Sequence, residues 1–189
     1  SRGDDAIADE AALIDVGRVL HAGGMRLTGV MTHAGGSYDL NTPEALTALA
    51  EQERAGCVHA AERLRSAGLP CAVVSVGSTP TALSACDLTG VTEVRAGVYV
   101  FFDLVMHNVG VCSTDDIALS VLTTVIGHQV DKGWAIVDAG WMAMSRDRGT
   151  QKQSRDYGYG QVCDADGTVL DGYVLSGANQ EHGILSLVG

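Results

Sequence analysis

A chain of 189 residues, 46% hydrophobic and 19% charged, has enough apolar material for an ordinary globular domain and too little charge for a disordered one. Its formal charge of −11 argues against a nucleic-acid backbone or an anionic membrane as partner, and no run of about eighteen apolar residues is present to span a bilayer. Residues 1–10 are polar and acidic rather than a signal peptide. Five scattered cysteines without a CxxC pair, Cys57, Cys71, Cys86, Cys112 and Cys163, read as buried thiols in a reducing, cytoplasmic setting. A start at Ser1 rather than Met fits a processed chain or a fragment.

The first half alternates helical and extended signals. Asp4 or Asp5 caps a helix carrying Ile7, Ala11, Ile14 and Leu20, which stops at Gly23-Gly24. Leu27–His33 reads as a short buried strand running into a glycine-bearing loop, Ala34–Tyr38. Thr42 then offers an N-cap, Pro43 the first helical position and Glu44 a charge that complements the helix dipole. Leu46, Leu49, Cys57, Ala61 and Leu64 keep helical spacing as far as Gly68. A second buried strand, Ala72–Val76, ends in Gly77-Ser78-Thr79-Pro80-Thr81, and after a short connection Glu93–Phe102 forms a third. Strand, loop, helix, strand is the pattern of a parallel sheet, either a closed barrel or an open doubly wound one.

After Asp116 the pattern changes. Leu119–Val130, the turn Asp131-Lys132-Gly133 and Trp134–Asp138 form one hairpin; Gly160–Cys163, the turn Asp164–Gly167 and Thr168–Leu175 form another. A boundary therefore falls near residues 113–117. The basic pairs Arg63/Arg65 and Arg146/Arg148 read as solvated charges, with Ser145–Thr150 as a solvent loop.

Ligands of parallel α/β sheets gather at the carboxyl ends of the strands, which directs attention to three loops. Gly77-Ser78-Thr79 offers amides and hydroxyls that suit either a phosphate or an ordinary Ser/Thr-capped turn. It has neither the lysine of a Walker loop nor the frame of a nucleophile elbow. Gly97, inside an apolar strand, marks a bulge, a bend or the close approach of a ligand, and Tyr99 either packs or hydrogen-bonds that ligand. His33 is a candidate acid–base group or a structural histidine, and Tyr38 either meets a ring or is simply exposed. Asn179-Gln180-Glu181-His182-Gly183 reads as a polar turn in which His182 is a weaker catalytic or metal-ligating candidate.

Taken in order, Thr32–Tyr38, Val74–Thr81, Glu93–Asp103, Asp138-Ala139-Gly140 and Asn179–Gly183 resemble the alanine-racemase-type (fold-type III) pyridoxal-phosphate enzymes, the family of the D-serine dehydratases and D-threonine aldolases. The resemblance implies an α/β fold in which part of a (β/α) TIM-type barrel, residues 1–115, precedes an antiparallel β domain, residues 116–189. It implies that Gly77, Ser78 and Thr79, with Gly97 and Val98, hold the phosphate of pyridoxal 5′-phosphate, and that Tyr38 and Tyr99 lie near the cofactor. His33 and His182 would lie close to the site. The implied activity is a lyase removing water and ammonia from a D-3-hydroxy amino acid, of 3-hydroxyaspartate or D-serine type, to give a 2-oxo acid. An aldolase-type lyase and a non-catalytic cofactor-binding homologue are the alternatives. A homodimer and a divalent metal (zinc, magnesium or manganese) are further implications.

Two departures follow. The family's cofactor-anchoring lysine lies in a basic segment of the first barrel strand, whereas this chain has only Lys132 and Lys152, neither in such a segment. The family's His-x-Cys metal pair lies downstream of the Gln-Glu-His-Gly tract, and no such pair occurs before Gly189. The chain is therefore expected to be a central-to-late slice of a longer enzyme, poorly stable and inactive by itself.

Overall fold

The computed structural model describes residues 10–187 and divides the chain into two compact units. The first comprises residues 1–100 and 109–111, and the second residues 101–108 and 112–189. The fold is mixed α/β, with a parallel sheet in the first unit and an antiparallel sheet in the second. No helix among the described residues is long and apolar enough to cross a membrane.

In the first unit, strands β1 (Gly29–Met31), β2 (Val73–Val76) and β3 (Glu93–Val94) form a parallel sheet in the order β1-β2-β3. Helix α1 (Glu10–Ala22) precedes β1; the Asp4/Asp5 cap and Ile7 lie outside the described residues. Helix α2 (Pro43–Ser66) begins as its sequence dictates. The Thr42 hydroxyl accepts from the Ala45 amide at 3.3 Å, Pro43 opens the first turn, and Arg63 and Arg65 occupy the last. The inward stripe of α2 carries Leu46, Ala50, Cys57, Ala61 and Leu64, at the spacing that keeps one helical face covered. Cys57, Ala61 and Leu64 join Leu69, Cys71, Val74 and Val76 in one apolar cluster. Glu53 occupies the same buried face.

β1 and β2 approach so closely that a Cβ on Gly29 would run into the Val73 carbonyl. The apolar runs are longer than the strands they produce. Leu27–His33 contributes only three paired residues and Glu93–Phe102 only two. β3 is an edge of the sheet, so no ladder on its outer side holds the chain extended among the described residues. The backbone instead turns through a 3-10 segment, Val98–Val100. The Thr79–Ser84 stretch, expected as a mere connection, forms a short helix, α3.

The second unit holds β4 (Val125–Gln129), β5 (Trp134–Val137), β6 (Gln161–Cys163), β7 (Val169–Ala178) and β8 (Gly183–Leu187) in the order β4-β5-β8-β7-β6. Its antiparallel core gathers Val137, Ala139 and Leu175, with Met144, Tyr159 and Leu185 packed against them. Both expected hairpins form, their first turn closing on a left-handed Gly133. The Asp164 carboxylate receives the amides of Asp166 and Thr168 at 3.0 and 2.8 Å, closing the second turn. β8 and the helix α4 (Leu104–Val109) were not anticipated.

Two readings change. Cys57 and Cys71 are buried, but Cys86 and Cys163 are exposed and Cys112 is half-buried. Arg63 and Arg65 are exposed, as the sequence suggests, and Arg65 Nε also donates to the Cys71 carbonyl at 2.8 Å. Ser145–Thr150 is not simply a solvent loop. Arg148 pairs with Asp156 at 2.5 Å, and the buried Thr150 hydroxyl accepts the Tyr157 amide at 2.9 Å.

Gly29→Ala should destabilise the chain by about 3 kcal/mol or more, because the added methyl meets backbone rather than a movable side chain. Urea denaturation of the two proteins measures this, and a difference near zero would show that the strands can separate freely.

Candidate active site

Because β1, β2 and β3 are parallel, their carboxyl ends leave the sheet on one edge, at Thr32, Gly77 and Arg95. Arg95 ties the three together. Its Nε donates to Ser75 Oγ at 2.7 Å, its terminal nitrogen donates to the Thr32 carbonyl, and its amide donates to the Val76 carbonyl at 2.8 Å. The Ser75 hydroxyl in turn donates to Glu93 Oε1 at 2.5 Å. Gly77 turns the chain at φ +128°, a conformation that side chains avoid, and a Cβ there would strike the Arg95 carbonyl. The second loop can lie against the third only if position 77 is glycine.

The Ala34–Tyr38 loop is wound into a 3-10 turn, Gly35–Asp39, which buries Ser37 and sets its hydroxyl 2.9 Å from Ser78 Oγ. Ser78 caps α3, accepting the Thr81 amide at 3.3 Å while Thr81 Oγ1 receives the Ser78 amide at 3.1 Å. The Gly77 amide is also committed, donating to Glu53 Oε1 at 3.0 Å. Ser78 therefore serves as the cap of α3. Thr79 is 2% exposed, yet its hydroxyl has no hydrogen-bond partner. A buried polar group left unpaired costs about 1–3 kcal/mol, so Thr79 Oγ1 is the natural place for an outside acceptor.

His33 Nδ1 lies 3.2 Å from the Gly77 carbonyl. A carbonyl only accepts, so Nδ1 carries the proton of this contact. The Tyr38 ring is 6.0 Å from the His33 ring. Gly97, Val98 and Tyr99 follow β3 at the same edge of the sheet. Nothing lies within 4 Å of where a Cβ on Gly97 would stand, so the space over that backbone is open. Tyr99 is 52% exposed. No hydrogen bond joins residues 97–99 to Ser78 or Thr79, and sheet register alone aligns them.

Sequence reasoning missed Glu53, Arg95 and Ser37. Glu53 left a signal: a carboxylate standing between Ala50 and Cys57 on the face that the apolar spacing marks as inward. Ser37 and Arg95 stand in two of the three candidate loops but are not singled out there, since a loop serine and a loop arginine look alike whether they bind or not.

In the second unit, Asn179–His182 forms the turn between β7 and β8. Asn179 Oδ1 accepts the amides of Glu181 and His182 at 3.1 and 2.8 Å. Gln180, Glu181 and His182 are exposed. The Asp138–Gly140 segment packs directly on this turn, with the Trp141 amide donating to the Asn179 carbonyl at 2.8 Å. Lys132 sits over the Trp134 ring at 4.8 Å, and Lys152 is exposed in a turn; both belong to this unit. Among the described residues, no group of three or more His, Cys, Asp or Glu side chains could hold a metal ion.

Residues 7–105 match the family described as "Alanine racemase, N-terminal domain", and residues 118–189 match the serine dehydratase domain family. The chain is 75% identical over 178 residues to D-threo-3-hydroxyaspartate dehydratase of Delftia sp. (strain HT23), covering 94% of this chain and 47% of that protein. The solved structure of the Delftia enzyme superposes with a TM-score of 0.90 at 74% identity, over 96% of this chain and 48% of that one. D-serine dehydratase of Dictyostelium discoideum is 33% identical over 125 residues, 64% of this chain and 32% of that protein. An alanine-racemase-like protein of Idiomarina loihiensis gives a TM-score of 0.86 at 52% identity, over 94% of this chain and 47% of that one. The chain therefore spans half or less of the length of these relatives.

Two outcomes are expected. The Asp138 carboxyl titrates below its ordinary value because the Thr124 amide and the Thr123 hydroxyl donate to it at 2.8 and 2.7 Å, with His182 adding a weaker attraction. Stability from this group is complete above the unfolded value of about 3.9 and is lost as pH falls through the lower folded value. Carbon-13 NMR titration should show the Asp138 midpoint rising in Thr123→Ala. Ellman's reagent should label Cys86 and Cys163 first, Cys112 slowly, and Cys57 and Cys71 only on unfolding. Burial pushes the thiols of Cys57, Cys71 and Cys112 up in pKa.

Proposed function

The chain belongs to the alanine racemase N-terminal domain family, and on that premise we propose that it works in a pyridoxal-5′-phosphate-dependent lyase that deaminates a D-3-hydroxy amino acid of the 3-hydroxyaspartate type. The observation that carries the reading is the buried, unpartnered Thr79 hydroxyl at the edge where three strand ends converge. It offers a donor to a phosphate oxygen without breaking any existing bond. Open space over the Gly97 backbone supports a ligand running from Thr79 toward Gly97 and Val98. Gly77 and Ser78 serve this site as its frame.

The cofactor, when bound, supplies the electron sink that makes the substrate α-proton removable. The chain contributes groups that hold the cofactor and one that handles a proton. Thr79 and the Gly97–Val98 backbone hold the phosphate end, and Tyr38 and Tyr99 border the ring. His33, oriented by its Nδ1 contact with the Gly77 carbonyl, holds or moves a proton. For 3-hydroxyaspartate the balance is one oxaloacetate and one ammonia per substrate, the water lost at Cβ being returned on hydrolysis.

The same reading extends to architecture. Residues 1–115 are assigned to part of a (β/α) barrel and residues 116–189 to a β domain. Three parallel strands with site residues at their carboxyl ends support this, as does the change to hairpins after residue 116. A small D-amino acid is the partner in solution, and a homodimer is the proposed assembly.

The test has two arms. The chain should bind pyridoxal 5′-phosphate more tightly than pyridoxal, which lacks the phosphate, and Thr79→Val should remove about tenfold of that preference. Equal affinity for both compounds would end the cofactor reading. Because neither Lys132 nor Lys152 stands in a basic segment like the one that carries the family's anchoring lysine, the chain alone should release no ammonia from D-threo-3-hydroxyaspartate. Sustained release by the purified chain would refute the view that the anchoring lysine is missing.

A further inference from the structure

Glu53 is 9% exposed on the inward face of α2. Its Oε1 accepts from Thr32 Oγ1 and from the Gly77 amide, both at 3.0 Å, and its Oε2 accepts from Thr81 Oγ1 at 2.9 Å. A carboxylate can only accept, so the Thr32 and Thr81 hydroxyl protons both point at it. The Ser78 carbonyl, 3.4 Å from Thr81 Oγ1, is the poorer alternative.

The direction set at Thr81 propagates. Thr81 Oγ1 and Ser78 Oγ stand 3.0 Å apart, and with the Thr81 proton turned to Glu53 only Ser78 can supply the proton of that contact. Ser78 Oγ then accepts from the Thr81 amide at 3.3 Å and from the Ser37 hydroxyl at 2.9 Å. This is the one assignment that satisfies every contact. It leaves the Ser78 hydroxyl with its proton and both lone pairs used. The amides of Gly77 and Ser78 are used as well, whereas Thr79 Oγ1 has no partner.

We propose that Glu53 is a positioning residue of the cofactor site: it orients the Thr32, Thr81, Ser78 and Ser37 hydroxyls and the Gly77 turn, so that Thr79 rather than Ser78 is the hydroxyl donor to the phosphate. This rests on the cofactor reading above and deepens it. Glu53 acts through its neighbours and touches no ligand. Replacing it with glutamine keeps size and shape but puts a donor where one of the three donors now finds an acceptor.

The experiment titrates the chain with pyridoxal 5′-phosphate and with pyridoxal by calorimetry and reads the ratio of the two Kd values. A purely structural defect weakens both ligands together, whereas a disturbed phosphate cup changes the ratio. Glu53→Gln should reduce the ratio about tenfold, with the Kd for pyridoxal moving far less. Ser78→Ala should cost less of the ratio than Thr79→Val. An unchanged ratio in Glu53→Gln, or a Ser78→Ala loss as large as that of Thr79→Val, would overturn the proposal. If Glu53→Gln does not fold, Thr81→Val breaks the same relay one step on and carries the same expected fall; an unchanged ratio there would also overturn it. If the unmodified chain does not distinguish the two ligands, the cofactor reading itself fails and the proposal falls with it.

Discussion

A carboxylate taken out of water must be satisfied by whatever surrounds it. In the middle of α2, neutral donors satisfy Glu53: the hydroxyl that follows β1, the amide that follows β2 and a hydroxyl of α3. The helix is thereby joined to the ends of two neighbouring strands at the edge where a ligand would sit. Apolar packing between α2 and the sheet supplies adhesion, since Cys57, Ala61 and Leu64 meet Val74 and Val76. Adhesion alone is non-directional. The carboxylate supplies what packing cannot, a fixed orientation for the groups that follow the strands.

The second constraint is steric. Gly77 and Gly29 each stand where backbone meets backbone, one against Arg95 and the other against Val73. The sheet is drawn tight at both points. Arg95 then closes the arrangement by reaching back across the sheet to the Thr32 carbonyl. Three loops that are far apart in sequence are held by a carboxylate, a guanidinium and two missing side chains.

Much of this was legible beforehand, and the limits have physical causes. Thr42, Pro43 and Gly68 announce α2 because capping is local chemistry, and both hairpin turns of the second unit announce themselves the same way. Strand lengths were overestimated because an apolar run does not reveal whether a partner strand is present. Residues Tyr99 to Phe101 read as part of a strand, yet they lie outside β3 and are exposed. The Gly77–Thr79 loop reads as a phosphate candidate or a capped turn, and the sequence cannot divide those roles: whether a hydroxyl caps a helix or is left without a partner depends on Ser37 and Thr81, which only the fold brings near. Likewise Asn179–His182 was legible as a polar turn. The strand beyond it, and the Asp138–Gly140 segment that braces it, are tertiary facts.

The bond from His33 to the Gly77 carbonyl has one more consequence. It joins an imidazole on this edge to the Gly77–Ser78 peptide, the unit next to the one whose amide Glu53 holds. Any occupant that shifts that peptide must also alter the ring's electron distribution. Nitrogen-15 chemical shifts of this one side chain would therefore register events at the neighbouring turn without any label being placed there.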